Sequence, residues 1–103
     1  MNKHKYEALY QSMYDDLKDA DMMIEYAYEV LEDEKDKPLA DELAKYAQSR
    51  LNHFNDFHKI FKAEVEKEPK SDHKTVEKCM WDKTHEHLME WCRSIKHKIE
   101  TYR

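Results

Sequence analysis

Apolar side chains recur every three or four residues along three stretches of the chain, which is the spacing of one face of an α-helix. The stretches cover about residues 3–34, 38–67 and 72–102, and each predicts one helix about 45 Å long. The stripes are Tyr6, Leu9, Met13, Leu17, Ala20, Ile24, Ala27 and Leu31; Leu39, Leu43, Ala47, Leu51, Phe54, His58, Phe61 and Val65; and Val76, Met80 or Trp81, Thr84, Leu88, Trp91, Ile95, Ile99 and Tyr102.

Two prolines mark the boundaries between these stretches. Pro38 follows a run of charged residues, and Pro69 lies in a second polar segment. Because proline disfavours helical backbone at the residue before it, each indicates the end of one helix and the start of another. Pro38 suits the first turn of the second helix, and Ser71 or Asp72 can cap the third.

These elements predict an all-α fold. Short connections make sequential helices antiparallel neighbours, so we expect one domain, residues 1–103, folded as an antiparallel three-helix bundle. Such a thin bundle cannot readily bury its many tyrosines, and a homodimer that covers some of them is the simplest solution. The alternative is that tyrosine tolerates partial exposure through its hydroxyl group. The expected interaction residues are Tyr10, Tyr14, Tyr28, Tyr46 and Trp91.

The composition excludes several classes of function. The chain has no glycine, which excludes the glycine-rich phosphate-binding loops of nucleotide-binding proteins. Its apolar runs are far shorter than the roughly 18 residues of a membrane span, and the first residues lack the apolar segment of a signal peptide. We therefore expect a cytoplasmic protein that does not bind membranes.

Charge is concentrated at one end of the chain. The formal net charge is −5, and residues 1–37, with 5 basic and 11 acidic side chains, account for the whole excess. This pattern argues against nucleic-acid binding, which needs a basic surface. It leaves open a solvated helix face or an acidic surface for a basic partner.

The sequence offers no complete catalytic set. Cys79 and Cys92 lie 13 residues apart on one predicted helix, about 20 Å along its axis, so we expect free thiols in a reducing compartment rather than a disulfide. Cys92 follows His85 and His87 but lacks the helix N-terminus that would activate a thiolate. We expect no enzymatic activity.

Histidines and carboxylates are the remaining candidates for chemistry. His58 lies within the apolar stripe of the second helix and His85 borders that of the third, where a histidine is more often a packed side chain than a ligand. Asp21 points partly inward, and a buried carboxylate needs a partner. We expect Arg50, rather than a metal ion, to supply it. The Glu-x-x-His motif of helical di-metal sites is absent, and Asp82-x-x-His85 is its single analogue.

Scattered positions resemble a known family. The stretch Asp16-Leu17-Lys18-Asp19-Ala20-Asp21 is similar to an Asp-Val-His-Asp-Ala-Glu segment, and the pair His53 and His58 to a His-x4-His pair, in the small ferritin-like helical proteins of phages and prophages, whose role is largely unassigned. Further similarities are Leu39-Ala40-Asp41, Trp81-Asp82, His85-Glu86, Glu90, Ile95-Lys96 and Tyr102.

The resemblance implies ferritin-like helical packing and a degenerate metal site. Its ligands would be Asp21, His53, His58, His85 and Glu86, with Fe, Mn or Zn as the metal. Two cations depart from the family pattern: Arg50 stands where an acid would precede His53, and Lys18 where a histidine would precede Asp19. A cation in place of a ligand repels a metal ion.

Three functions therefore remain open. The first is a non-enzymatic protein–protein interaction or structural module, phage- or prophage-derived, without a cofactor and working as a homodimer. The second is the ferritin-like metal-binding protein. The third is an acidic protein that docks onto a basic partner.

Overall fold

The computed structural model describes residues 3–67 and 72–102, with side chains at residues 7–64, 66 and 85–102. Three α-helices, α1 (Lys3–Glu29), α2 (Lys37–Lys67) and α3 (Asp72–Thr101), account for most of these ranges, and neither range contains a strand. The all-α prediction is confirmed. The expected cap at Ser71 and the side chains of Cys79 and Asp82 lie outside what is described.

The chain reverses between α1 and α2 without using glycine. A π-helical turn, Val30–Glu34, continues α1, so the first predicted helix is α-helical only to residue 29. Lys35 then takes left-handed backbone angles, φ 56° and ψ 24°. Asp36 starts α2 as its N-cap, because its Oδ1 accepts the backbone N–H of Leu39 at 3.1 Å. Pro38 lies in the first turn of α2, as predicted.

Side-chain contacts give the direction of each helix. Asp16 of α1 meets His53 near the middle of α2, Asp21 meets Lys98 of α3, and Tyr102 at the end of α3 meets Asp41 near the start of α2. Hence α1 and α3 run in the same direction and α2 runs opposite to both. The molecule is elongated, 56 × 17 × 17 Å.

The buried side chains form one core along this long axis. Most predicted stripe positions within the described side chains contribute to it, and their spacing explains why each helix forms where it does. Cys92, a free and buried cysteine of α3, also lies in the core, and burial raises the pKa of its thiol. The fully buried large residues are Met13, Leu17, Ile24, Phe54, Ile95 and Asp16.

Candidate functional site

The buried carboxylate of α1 is Asp16, whose side chain is 1% exposed. His53 Nδ1 lies 2.6 Å from Asp16 Oδ2, and Arg50 Nη2 lies 2.6 Å from Oδ1. Arg50 and Asp16 thus form an ion pair. Arg50 Nη2 also lies 3.5 Å from Asp19. Arg50 therefore meets a carboxylate of the first helix, but a different one from Asp21.

Asp21 instead faces α3. Trp91 Nε1 donates to its Oδ2 at 2.9 Å, and Lys98 Nζ donates to its Oδ1 at 2.9 Å. Lys98 also lies 2.7 Å from Glu25, and hydrogen bonds to Glu25 and Asp21 raise the pKa of its ammonium group. The predicted pairing of Asp21 with Arg50 is wrong. At about 100° per residue, positions 16 and 21 lie about 140° apart around α1, so they face different helices.

His58 and His85 come together between α2 and α3. Their rings are stacked, with centroids 4.6 Å apart and planes within 5° of each other. Phe54 stacks beside His58, and Phe61 beside His85. Burial, followed by the charges of His85 and Lys62, lowers the pKa of His58. Two rings stacked in parallel planes cannot both direct a nitrogen at one metal ion unless one of them turns.

The five expected metal ligands thus do not converge on one site. His58 and His85 meet each other, His53 meets Asp16, Asp21 meets Lys98, and Glu86 is exposed. Across the described residues, no three or more histidine, cysteine, aspartate or glutamate side chains are grouped so that they could hold a metal ion.

Four of the five expected interaction residues serve contacts inside the chain. Tyr28 Oη donates to the carbonyl of Lys98 at 2.6 Å. The rings of Tyr14 and Trp91 meet edge to face at 5.5 Å, and Tyr10 stacks on Tyr14 at 6.3 Å. These contacts lie within α1 or between α1 and α3. Only the fifth, Tyr46, is exposed on a part of the molecule that α3 does not reach.

Tyr46 belongs to an apolar surface on the side of the α1–α2 pair that faces away from α3. The contacts of Asp16 with His53 and Asp19 with Arg50 set the antiparallel register. When the same register is extended toward the connection between α1 and α2, Met23 of α1 lies opposite Tyr46 of α2. We call this surface the open face. Its six residues are Met23, Tyr26, Val30, Leu39, Leu43 and Tyr46.

Helix α3 covers the opposite side of the pair. On α1 its contacts are with Asp21, Glu25 and Tyr28, and on α2 with Asp41 and His58. At about 100° per residue, these positions lie on the other flank of each helix from the open face.

Large apolar groups of the open face therefore remain in contact with solvent. Tyr26 and Tyr46 are each 46% exposed and Leu39 is 48% exposed, while Met23, Val30 and Leu43 are half-buried. Leu39 and Leu43 were predicted as core positions of α2, and in the structure they lie at the edge of the core. The six side chains of this surface are apolar apart from the hydroxyl groups of Tyr26 and Tyr46.

Comparison with protein-family models, with curated proteins and with solved structures found no match to this chain. Among the helices that the structure describes, none has the combined length and apolar character that crossing a membrane requires.

Proposed function

We propose that this protein is a non-enzymatic protein–protein interaction module and that the open face is its binding surface. The observation that supports this best is the contrast between two sets of tyrosines. Tyr28 and Tyr14 are used in contacts with α3, whereas Tyr26 and Tyr46 extend into solvent on the side that α3 leaves uncovered. Contiguous exposed apolar groups of this kind are typical of interaction sites.

The same reasoning gives the finer architecture. We propose that the chain packs as an antiparallel three-helix bundle and that a helix of a partner lies along the open face. That helix would occupy the fourth position of a four-helix, ferritin-like arrangement. A second copy of this chain, forming a homodimer, is one source of such a helix.

Burial of the open face is sufficient to matter energetically. Full burial of a large apolar side chain contributes about 1.5–3 kcal/mol. Three such residues, each close to half exposed, would therefore gain about 2–4 kcal/mol together when a partner covers them. This gain is useful for reversible binding and too small to hold a complex without further contacts.

The test compares the protein with the double variant Tyr26→Ser/Tyr46→Ser. Binding is measured by isothermal titration calorimetry with two synthetic amphipathic helices that share one leucine stripe, one otherwise rich in lysine and one in glutamate. Self-association is measured by sedimentation equilibrium. We expect wild type to bind a peptide or itself, and the double variant to lose about tenfold in affinity or more.

Ile60→Ser is the matched control, because Ile60 is also 46% exposed but lies about 20 Å along α2 from Tyr46. It should retain wild-type binding. Both variants should unfold in urea within about 0.5 kcal/mol of wild type, as exposed positions do. Absence of both peptide binding and self-association, or an equal loss in the Ile60 control, would rule out the open face as a binding surface.

A further inference from the structure

Charged residues border the open face unevenly. They are the charged residues that lie three or four positions along the chain from one of its six members, the spacing of neighbours on a helix surface. Six are acidic and two are basic. The acids are Asp19, Glu29, Asp33, Glu34, Asp36 and Glu42, and the bases are Lys35 and Arg50.

One base and one acid of this border are already paired with each other, because Arg50 meets Asp19 as well as Asp16. Arg50 Nη2 lies within ion-pair distance of both Asp16 and Asp19, at 2.6 and 3.5 Å. Glu42 pairs with Lys45 at 3.3 Å. The other four acids, Glu29, Asp33, Glu34 and Asp36, are exposed, against one exposed base, Lys35. An approaching partner therefore meets apolar side chains surrounded by net negative charge.

This border disfavours a second copy of the chain as the partner. Two-fold pairing brings the same patch of both subunits together, so acidic borders would face acidic borders. Like charges brought together across an interface are unfavourable and slow association. A partner that places lysines and arginines against the acidic border is attracted electrostatically, whereas a second copy of the chain is repelled.

We infer that the open face binds a basic amphipathic helix of another protein. This inference rests on the proposed function and names its partner. From Met23 to Val30, and likewise from Leu39 to Tyr46, the face extends about 10 Å, or two helical turns. The partner helix presents apolar side chains three or four residues apart along that length, with lysines or arginines on both flanks.

The two peptides described above test the charge of the partner directly. We expect the lysine-rich peptide to bind about tenfold more tightly than the glutamate-rich one in 50 mM NaCl, and the difference to shrink in 500 mM NaCl, where charges are screened. The variant Glu29→Lys/Glu42→Lys should reverse or abolish the preference without loss of the leucine-dependent binding.

Glu90→Lys/Glu100→Lys is the matched control, because it makes the same change of charge at exposed positions of α3. It should change the affinity for the lysine-rich peptide by less than about threefold, the part expected from net charge alone. If it weakens binding as much as the open-face pair, the attraction is nonspecific and the inference is wrong.

The remaining outcomes separate this inference from the proposed function. Equal binding of both peptides would contradict a basic partner and still support the open face as a binding surface. A homodimer at micromolar concentration that Tyr26→Ser/Tyr46→Ser disrupts would make the second copy the partner and overturn the inference. Absence of any binding would contradict both.

Discussion

The imidazole rings of His58 and His85 lie face to face between α2 and α3, 4.6 Å apart at their centroids. Two phenylalanine rings of α2 flank the pair, Phe54 beside His58 and Phe61 beside His85. A charge on His85 raises the cost of a proton on His58, and burial disfavours the charged form of His58 as well. The stack therefore stabilises the docking of α3 onto α2 best when His58 is neutral.

This arrangement predicts a loss of stability in mild acid. Because burial lowers the pKa of His58 in the folded protein, its contribution is fully present above the unfolded value of about 6.5 and is lost as the pH falls through the folded value. We expect the free energy of unfolding in urea to decrease from pH 7.5 to pH 5. His58→Phe keeps an aromatic ring in the stack and should remove much of this decrease.

The control for that experiment is His97→Phe, because His97 is exposed on α3 and outside the stack. This variant should keep the full acid dependence of wild type. If His58→Phe and His97→Phe show the same slope between pH 6.5 and pH 5, the stack is not the acid-sensitive contact.

The ion pair of Asp16 and Arg50 gives a second prediction. Arg50→Met leaves the buried carboxylate with His53 alone, and loss of one partner of a buried pair costs about 3–5 kcal/mol. Since the Arg50 side chain is 30% exposed, we expect a smaller loss than for a fully buried pair, about 2–3 kcal/mol, in urea unfolding.

A double variant separates the ion pair from simple loss of packing. Asp16→Leu/Arg50→Met removes both charges, so it should recover more than half of the loss seen in Arg50→Met. Arg93→Met, at an exposed position of α3, should change stability by less than about 0.5 kcal/mol. A loss in Arg50→Met no larger than in Arg93→Met would show that Asp16 does not depend on the arginine.

The helices were predictable from sequence because the periodicity of their buried residues is strong and prolines break it in two places. The predicted boundaries of α2 and α3 agree with the structure to within one residue at the ends that are described. The π-helical turn at Val30–Glu34 was not predicted. Its residues are ordinary helix formers, and nothing in their order distinguishes a π turn from a further α turn.

The charged contacts were less predictable, for a geometric reason. Periodicity shows which side of a helix is inward but not which flank faces which neighbour, because that depends on whether α3 lies to the left or right of the α1–α2 pair. Asp21 and Arg50 were therefore paired wrongly, and Asp16 was missed as the buried carboxylate. Lys98 is the actual partner of Asp21. Its position in the sequence, four residues after Ser94 and three after Ile95, did not indicate that it would meet a carboxylate of α1.

The backbone of Lys35 gives a third prediction. Left-handed backbone angles are unfavourable for residues that have a Cβ atom, and glycine, which has none, adopts them without that cost. Lys35→Gly should therefore stabilise the protein by about 0.5–1 kcal/mol in urea or thermal unfolding, after the entropy that glycine adds to the unfolded chain. Lys37→Gly, at the first residue of α2, should instead destabilise it. A loss of stability in Lys35→Gly would contradict the left-handed assignment.

The last prediction concerns the contact that joins the end of α3 to the start of α2. Tyr102 Oη donates to Asp41 Oδ1 at 2.7 Å. Burial and this hydrogen bond raise the pKa of Tyr102 to about 12, while the bond from Tyr102, followed by that from Lys37, lowers the pKa of Asp41. The raised pKa means that the contribution of Tyr102 to stability is complete below about pH 10 and is lost as the pH rises through about 12.

Absorbance at 295 nm measures this titration directly. Subtracting the titration curve of Tyr102→Phe from that of wild type isolates the ionisation of Tyr102, and its midpoint should lie near pH 12. When both proteins also carry Asp41→Asn, the midpoint should move toward pH 10. Glu42→Gln, which removes a neighbouring carboxylate without touching the bond, should leave the midpoint in place. A midpoint near pH 10 in the wild-type background would show that Asp41 does not hold the tyrosine proton.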